Sequence, residues 1–188
     1  MRAKRNFKQY IIPAMPASDQ GVHPERYHLI PRVLCFITRG REVLLLKGAP
    51  TKRIWADKYN GVGGHVERDE DPLTGALREI KEETGLDVAN ARFRGAIHVD
   101  AGHDNGILVF VFSAEATSRE VADSDEGTLE WVPRDRLNDL PLVEDLPVLI
   151  PLIFDSAPDA PPFFVHTSYD AADRLVMRFA PPYHVADT

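Results

Sequence analysis

One segment, residues 63–86, constrains the fold more than any other, because it contains the start, the buried face and the end of a helix in that order. Asp71 is a natural N-cap, Pro72 suits the first helical position, and Gly85 stands where a helix stops. The apolar side chains between them recur at the i, i+3, i+4, i+7 spacing of one helical face: Leu73, Ala76, Leu77 and Ile80. The sequence therefore predicts an amphipathic helix between Pro72 and Gly85.

Three glutamates crowd one face of this predicted helix. Glu79, Glu82 and Glu83 stand at i, i+3 and i+4, so their carboxylates lie side by side. Such like-charge pairs cost about 0.2–0.5 kcal/mol each, and the helix dipole disfavours anions near the C-terminus. A solvated charged face is one interpretation. The other is a cage for Mg²⁺ or Mn²⁺, because carboxylates and the carbonyls of Gly63 and Gly64 are hard oxygen ligands.

The same segment completes a known signature, the Nudix box. Its members stand at the full spacing of that box: Gly64, Glu70, Arg78-Glu79-Ile80, Glu82-Glu83 and Gly85-Leu86. The chain thus resembles the Nudix hydrolase superfamily. The resemblance implies an α+β fold, the Nudix α/β/α sandwich with a central mixed sheet, and hydrolysis of a nucleoside diphosphate linked to another group.

The resemblance also implies roles for individual residues. The family's ligands for Mg²⁺, or alternatively Mn²⁺, fall by position on Glu79, Glu82 and Glu83, with the Gly63 carbonyl nearby. Arg78 and Glu70 resemble the pair that orients the helix and holds Glu79.

A carboxylate is needed to take a proton from the attacking water. Glu79 is the leading candidate for this general base. Glu126 is the rival, because some Nudix bases come from a loop beyond the helix; a turn acid without a role is the alternative for Glu126.

The surroundings of the box resemble oxidised-purine nucleoside triphosphatases of the MutT kind. The stretch from Trp55 to Gly64 is similar to their approach sequence, in which an Asn reads the base edge, so Asn60 is expected to contact the base. Asp145 is similar to an acid that contacts an oxopurine, and Lys47 is a candidate for phosphate or base. Each has an alternative: Asn60 holding a turn, Asp145 capping a helix, and Lys47 solvated.

The remaining pattern predicts strands and one more helix around this segment. Residues 1–27 are expected to form an irregular arm, and residues 28–188 one domain that ends in a hairpin over 163–179. Strands are predicted at 32–38, 42–47, 91–99, 106–114 and 129–132, and a second helix around 145–154. Because strands and helices do not alternate regularly, layered α+β packing is favoured.

Composition limits the setting of the protein. The formal net charge of −7 argues against a nucleic-acid binder, and no apolar run approaches the roughly 20 residues of a membrane span. The single Cys35 lies in an apolar run and is expected to be a buried hydrophobe in a reduced, cytoplasmic protein. His65, His98 and His103 lack zinc-ligand spacing and are interpreted as structural or loop residues. The oligomeric state stays open.

Together these features predict a Mg²⁺-dependent nucleotide pyrophosphohydrolase, and the resemblance implies that it cleaves a nucleoside triphosphate to the monophosphate and pyrophosphate. The oxidised purine 8-oxo-dGTP is the candidate substrate. The alternatives are an ADP-ribose or dinucleoside polyphosphate hydrolase, and a Nudix-fold nucleotide sensor without turnover.

Overall fold

A computed structural model describes residues 11–122, 124, 126–157 and 160–181. Predictions for residues 1–10 and 182–188 lie outside these residues. Two helices are present in the described part, α1 (Pro72–Thr84) and α2 (Leu146–Phe154). The strands are β1 (His28–Arg39), β2 (Glu42–Gly48), β3 (Tyr59–Asn60), β4 (Val88–Val99), β5 (Asn105–Ala116), β6 (Gly127–Pro133), β7 (Phe163–Tyr169) and β8 (Leu175–Phe179).

The strands form one mixed sheet in the order β3-β2-β1-β5-β4-β7-β8, with β6 paired to β2. β1 runs parallel to β5, and β4 runs parallel to β7, whereas the other strand pairs are antiparallel. The expected α+β fold with a central mixed sheet is thus confirmed.

Each face of the sheet is covered by one helix. On one face, Ala76 and Ile80 of α1 pack with Cys35, Ile37 and other buried residues of the central strands. On the opposite face, α2 packs its buried leucines and Ile153 against residues such as Phe36 and Val111. The strands alternate their side chains between these two cores, as a sheet covered on both sides requires.

The predicted elements are confirmed, with differences at their ends. β1 begins four residues earlier than expected, because residues from His28 onward already pair with β5, starting at His28 opposite Asn105. Leu73 is the exception on the predicted apolar face of α1, since it is exposed. The buried face includes Gly75 and Thr84 instead.

The chain before β1 adds little regular structure. Residues 11–27 contain one short 3-10 helix, Ala17–Asp19, and are otherwise irregular and exposed. Their last residue, Tyr27, lies against His98 of β4, with ring centroids 5.7 Å apart. In the described parts of the chain, neither helix has the length and apolar character needed to cross a membrane.

Candidate active site

Helix α1 carries most of the candidate catalytic residues, and both of its ends are capped as the sequence predicts. Asp71 accepts hydrogen bonds from the backbone N–H groups of Leu73 (2.9 Å) and Thr74 (3.1 Å). Gly85 adopts the left-handed conformation with φ of 72° and closes the helix by donating to the Lys81 carbonyl. The acidic face of α1 therefore has a fixed start and end.

Arg78 ties the acidic face together. Its Nη2 donates to Glu70 Oε1 at 2.7 Å and to the His65 carbonyl at 2.9 Å, while Nη1 donates to Glu79 at 2.8 Å and Glu82 at 2.9 Å. The Glu70 and Glu79 side chains are only 9% and 13% exposed, so the guanidinium offsets charge that water screens poorly. The Arg78 hydrogen bonds lower the pKa of Glu70.

Glycines allow the segment from Gly61 to Gly64 to lie close to both β1 and α1. A side chain at Gly61 would place its Cβ 2.7 Å from the Cys35 carbonyl oxygen, and one at Gly63 would lie 2.1 Å from that of Val33. At Gly64, a Cβ would lie 2.4 Å from Glu79 Oε1. These glycines are thus needed first for contact with β1 and the Glu79 carboxylate.

Glu83 is the most perturbed carboxylate of the cluster. Burial, followed by the nearby charges of Glu126 and Glu79, raises the pKa of Glu83 to about 7. The Gly63 N–H donates to Glu83 Oε2 at 3.3 Å and opposes this rise. A carboxyl whose ionisation is hindered by other carboxylates marks a concentration of negative charge, as expected where a cation binds.

Glu126 reaches the same region from the turn before β6. Its Oε2 accepts a hydrogen bond from Lys52 Nζ at 2.6 Å, and its charge acts on Glu83. Lys52 was missed at the sequence level, because nothing in a polar loop between β2 and β3 indicates that one lysine pairs with a distant glutamate. Glu126 is therefore more than a turn acid: its charge is part of the cluster.

The donor set fits a hard divalent cation. Glu79, Glu82, Glu83 and Glu126 offer only carboxylate oxygens, which suit Mg²⁺ or Mn²⁺ better than zinc. Within the described ranges, no three carboxylate, imidazole or thiol side chains converge tightly enough to chelate an ion as they stand. Arg78 donates hydrogen bonds to one oxygen of Glu79 and one oxygen of Glu82. To bind an ion, these carboxylates must either use their other oxygens or release Arg78.

The thiol of Cys35 lies beneath this cluster but does not belong to it. Cys35 is buried, and burial together with the charges of Glu83 and Glu79 raises the pKa of its thiol. A protonated, inaccessible thiol is neither a nucleophile nor a metal ligand. The prediction of a buried, structural Cys35 is confirmed.

The three predicted substrate contacts lie near β3 and the start of α2. Asn60 Oδ1 accepts from the Gly61 N–H at 2.8 Å, which is the turn-holding role and leaves its amide N–H₂ group for other partners. Lys47 lies 5.8 Å from the centroid of the Tyr59 ring. Asp145 makes no side-chain cap on α2, so the capping alternative is wrong; burial and the charge of Glu144 raise its pKa.

A loop between β2 and β3 connects the two groups of residues. At one end Lys52 pairs with Glu126, and at the other Lys58 pairs with Glu144, next to Asp145. Between them, Trp55 and Asp57 adopt positive φ values of 59° and 58°, which are costly for residues other than glycine. Residues 49–58 thus join the carboxylate cluster to the start of α2.

Removing the guanidinium of Arg78 should cost both stability and activity. We expect Arg78→Gln to lower the free energy of unfolding at pH 7 by about 2–3 kcal/mol, because it leaves Glu70 and Glu79 without their cation. Because Arg78 lowers the pKa of Glu70, this difference should shrink as the pH falls through the pKa of that carboxyl. Urea unfolding at several pH values measures it.

Arg136→Gln is the matched control. Arg136 pairs with Asp139 on the surface, with both side chains largely exposed. Its loss should change the free energy of unfolding by less than about 1 kcal/mol. Equal effects of the two substitutions would contradict the role assigned to Arg78.

The structure combines a mixed sheet with a capped, acidic helix on one face and a glycine-rich turn beside that helix. This combination defines a class of protein. A family model described as the NUDIX domain matches residues 28–153, and the chain belongs to this family. Members of the family generally use divalent metal ions and act on nucleotide substrates.

Individual relatives show how far the likeness extends. The NAD-capped RNA hydrolase NudC of Pseudomonas aeruginosa is 32% identical over 129 residues, which are 68% of this chain and 44% of that protein. The oxidized purine nucleoside triphosphate hydrolase of Danio rerio is 33% identical over 94 residues, 50% of this chain and 60% of that protein. The chain thus spans less than half of NudC.

Solved structures confirm the fold. The MutT protein from Bacillus halodurans superimposes with a TM-score of 0.67 at 23% identity, covering 82% of this chain and 100% of that one. A MutT NUDIX hydrolase from Burkholderia pseudomallei gives a TM-score of 0.58 at 23% identity, covering 67% and 98% of the two chains.

Proposed function

We propose that this chain is a Mg²⁺-dependent pyrophosphohydrolase that converts a nucleoside triphosphate to the monophosphate and pyrophosphate, with 8-oxo-dGTP as the candidate substrate. The observation that carries the proposal is the convergence of carboxylates on one face of α1, where Arg78 binds Glu70, Glu79 and Glu82 and the Gly63 N–H donates to Glu83. A sensor that only binds nucleotide has no need for such a concentration of carboxylates around a site.

The residues divide into two roles. Glu82, Glu83 and Glu126 would hold the cation together with the Gly63 carbonyl, with Glu79 at its edge. Mg²⁺ in this position would neutralise phosphate oxygens and acidify the attacking water. Glu79 is the general base, supported by the Arg78 hydrogen bond at 2.8 Å, which fixes one carboxylate oxygen and leaves the other for the proton.

We assign the general base to Glu79 rather than to Glu126. The Glu126 side chain is 54% exposed and paired to Lys52, an exposed surface arrangement that suits an additional cation ligand. Glu79 is nearly buried and oriented from two sides, by Arg78 and by the close backbone of Gly64. Precise orientation of the base is what proton transfer in line with phosphorus requires.

Asn60, Asp145 and Lys47 are proposed as substrate contacts. The amide N–H₂ group of Asn60 is a donor for a base acceptor, since its oxygen is already held by Gly61. Asp145 does not cap α2, which leaves its half-buried carboxyl to accept hydrogen bonds from a purine edge. The partial likeness to oxidized purine nucleoside triphosphate hydrolases supports the same choice.

A second candidate function is suggested by the likeness to NudC. Identity of 32% with NudC over 129 residues favours a dinucleotide or a dinucleotide-capped end as the substrate. ADP-ribose and dinucleoside polyphosphates belong to the same broader group of linked nucleoside diphosphates. All of these would be cleaved at the same carboxylate cluster.

The domain organisation and the cellular location are also proposals. We expect residues 28–188 to act as one domain after an irregular arm, because both cores are assembled from strands between β1 and β8. A cytoplasmic location is supported by the buried, reduced Cys35.

A substrate panel with Mg²⁺ tests the proposal. We expect kcat/KM for 8-oxo-dGTP or another nucleoside triphosphate to exceed that for NADH, ADP-ribose and diadenosine polyphosphates by at least tenfold, with pyrophosphate as product. Excess EDTA should abolish turnover. Preference for NADH or a capped RNA would transfer the assignment to the second candidate, and no turnover of any member would favour the sensor.

A further inference from the structure

A cavity lies at the β4-β7-β8 end of the sheet, two or more strands away from β1, on which α1 and its carboxylate cluster pack. It has a volume of about 350 Å³ and opens where β4, β7 and β8 run side by side. The lining residues Ala96 and His98 alternate along β4 with Ile97, which belongs to the core under α2, whereas Val165 and Phe179 pack with that core and also line the cavity. Most of the lining thus belongs to the side of the sheet that α1 covers elsewhere, and no carboxylate of the cluster lines the cavity.

Three nitrogen-bearing side chains form a row across this cavity. His98 of β4 is registered opposite His166 of β7, and His166 is registered opposite Arg178 of β8. The imidazole centroids are 4.8 Å apart with an interplanar angle of 87°, and Tyr27 Oη lies 3.4 Å from His98 Nε2. Neutral or charged, an imidazole carries an N–H donor, and a guanidinium carries five.

Arg178 has capacity to bind a further partner. Its one hydrogen bond goes to Ser168 Oγ at 3.5 Å, the outer limit for such a contact, and it pairs with no carboxylate among the residues described. Arg174 of the same hairpin, in contrast, pairs with Asp170 at 2.7 Å. An exposed guanidinium without a carboxylate, beside two imidazoles, is complementary to an anion.

The next row along the strands provides a flat apolar surface. Phe164 is registered opposite Ala96 on one side, and the Ala180 N–H donates to the Phe164 carbonyl on the other. Because both neighbours are alanines, the Phe164 ring projects above them and is 53% exposed. A free aromatic face of this kind stacks with planar rings.

We propose that this cavity is a second, non-catalytic binding site for a nucleoside monophosphate, with the base on Phe164 and the phosphate at Arg178 and His166. The two rows are two residues apart, about 7 Å along the strand, a separation that one ribose spans. The volume lies near the lower end of the range for small-molecule sites. A polynucleotide is disfavoured by the net charge of −7.

This site is independent of the proposed reaction. Its ligand class includes the monophosphate that the reaction would release, but its residues neither touch the carboxylate cluster nor take part in bond cleavage. Binding can therefore be measured with the catalytic centre silenced.

The test is calorimetric titration of AMP and GMP into the full chain in excess EDTA. We expect binding that weakens at least tenfold in Arg178→Gln and in Phe164→Leu, the second of which keeps apolar volume but loses the flat ring. Of these two substitutions, adenosine binding should respond only to Phe164→Leu and ribose 5-phosphate binding only to Arg178→Gln. Hydrolysis with Mg²⁺ should stay within twofold of the wild-type rate in both variants.

Arg174→Gln and Glu79→Gln are the matched controls and should leave AMP and GMP binding unchanged. Thermal unfolding confirms that the variants are folded. Absence of binding in EDTA, or binding that survives both cavity substitutions, would overturn the proposal. Tighter binding of a short single-stranded oligonucleotide than of either monophosphate would overturn it as well, by making a polymer the occupant.

Discussion

Glu79→Gln should reduce the rate of nucleotide hydrolysis at least a hundredfold while leaving nucleotide affinity within a few fold of wild type. The amide keeps the shape of the side chain and accepts a hydrogen bond from Arg78 through its oxygen, but it cannot take a proton from water. Loss of a general base costs about 10²–10⁴ in rate. Single-turnover kinetics, which separate the chemical step from binding, measure the effect.

A nearby exposed acid gives the control for this prediction. Glu120 lies on the surface outside the cluster, and Glu120→Gln should leave both rate and affinity unchanged. If Glu79→Gln retained most of the wild-type rate and Glu126→Gln lost it, the proton acceptor would be Glu126 instead.

Glu83→Gln should abolish most activity and yet stabilise the protein in the absence of divalent cations. In the folded protein the pKa of Glu83 is raised from 4.5 to about 7, so its ionised form is disfavoured relative to the unfolded chain. This group therefore costs stability progressively as the pH rises from about 4.5 to 7, and the full cost remains at higher pH. We expect the variant to gain about 2 kcal/mol at pH 8 and little at pH 4.

Divalent cations should reverse this difference. Wild-type protein gains stability from any ion bound by the folded state alone, whereas the variant has lost a carboxylate ligand and should gain less. Thermal unfolding at pH 8, with EDTA or with Mg²⁺, measures both effects, and exposed Glu67→Gln is the control. A variant that is less stable than wild type in EDTA would show that ionised Glu83 does not destabilise the folded protein.

Helix α1 could be predicted almost completely from the sequence, because its signals are local. Asp71 and Gly85 cap α1 as expected, since a cap depends on residues within one turn. The box spacing likewise fixed which carboxylates share a face. Leu73 was misplaced because helical periodicity gives one continuous stripe, whereas the sheet below covers only part of the helix.

Contacts between segments that are far apart in the chain could not be predicted from the sequence. The pairing of Lys52 with Glu126 joins residues that are 74 positions apart, and no local pattern encodes it. The row of His98, His166 and Arg178 depends on the registers of three strands, two of them parallel and far apart in the chain. From the sequence, His98 is interpreted as a structural or loop residue because it lacks zinc-ligand spacing, and no local pattern singles out His166.

The attachment of residues 49–58 differs in kind from that of helix α1. This loop is fastened at its two ends by Lys52–Glu126 and Lys58–Glu144, whose carboxylates are more than half exposed. Arg78 and Glu70, in contrast, are shielded from solvent. Counterions weaken exposed ion pairs far more than shielded ones. Concentrated salt should therefore release the loop while α1 keeps its position on the sheet. Ionic strength is thus expected to loosen residues 49–58 and to free Glu126 from Lys52, while Arg78 continues to hold Glu70 and Glu79.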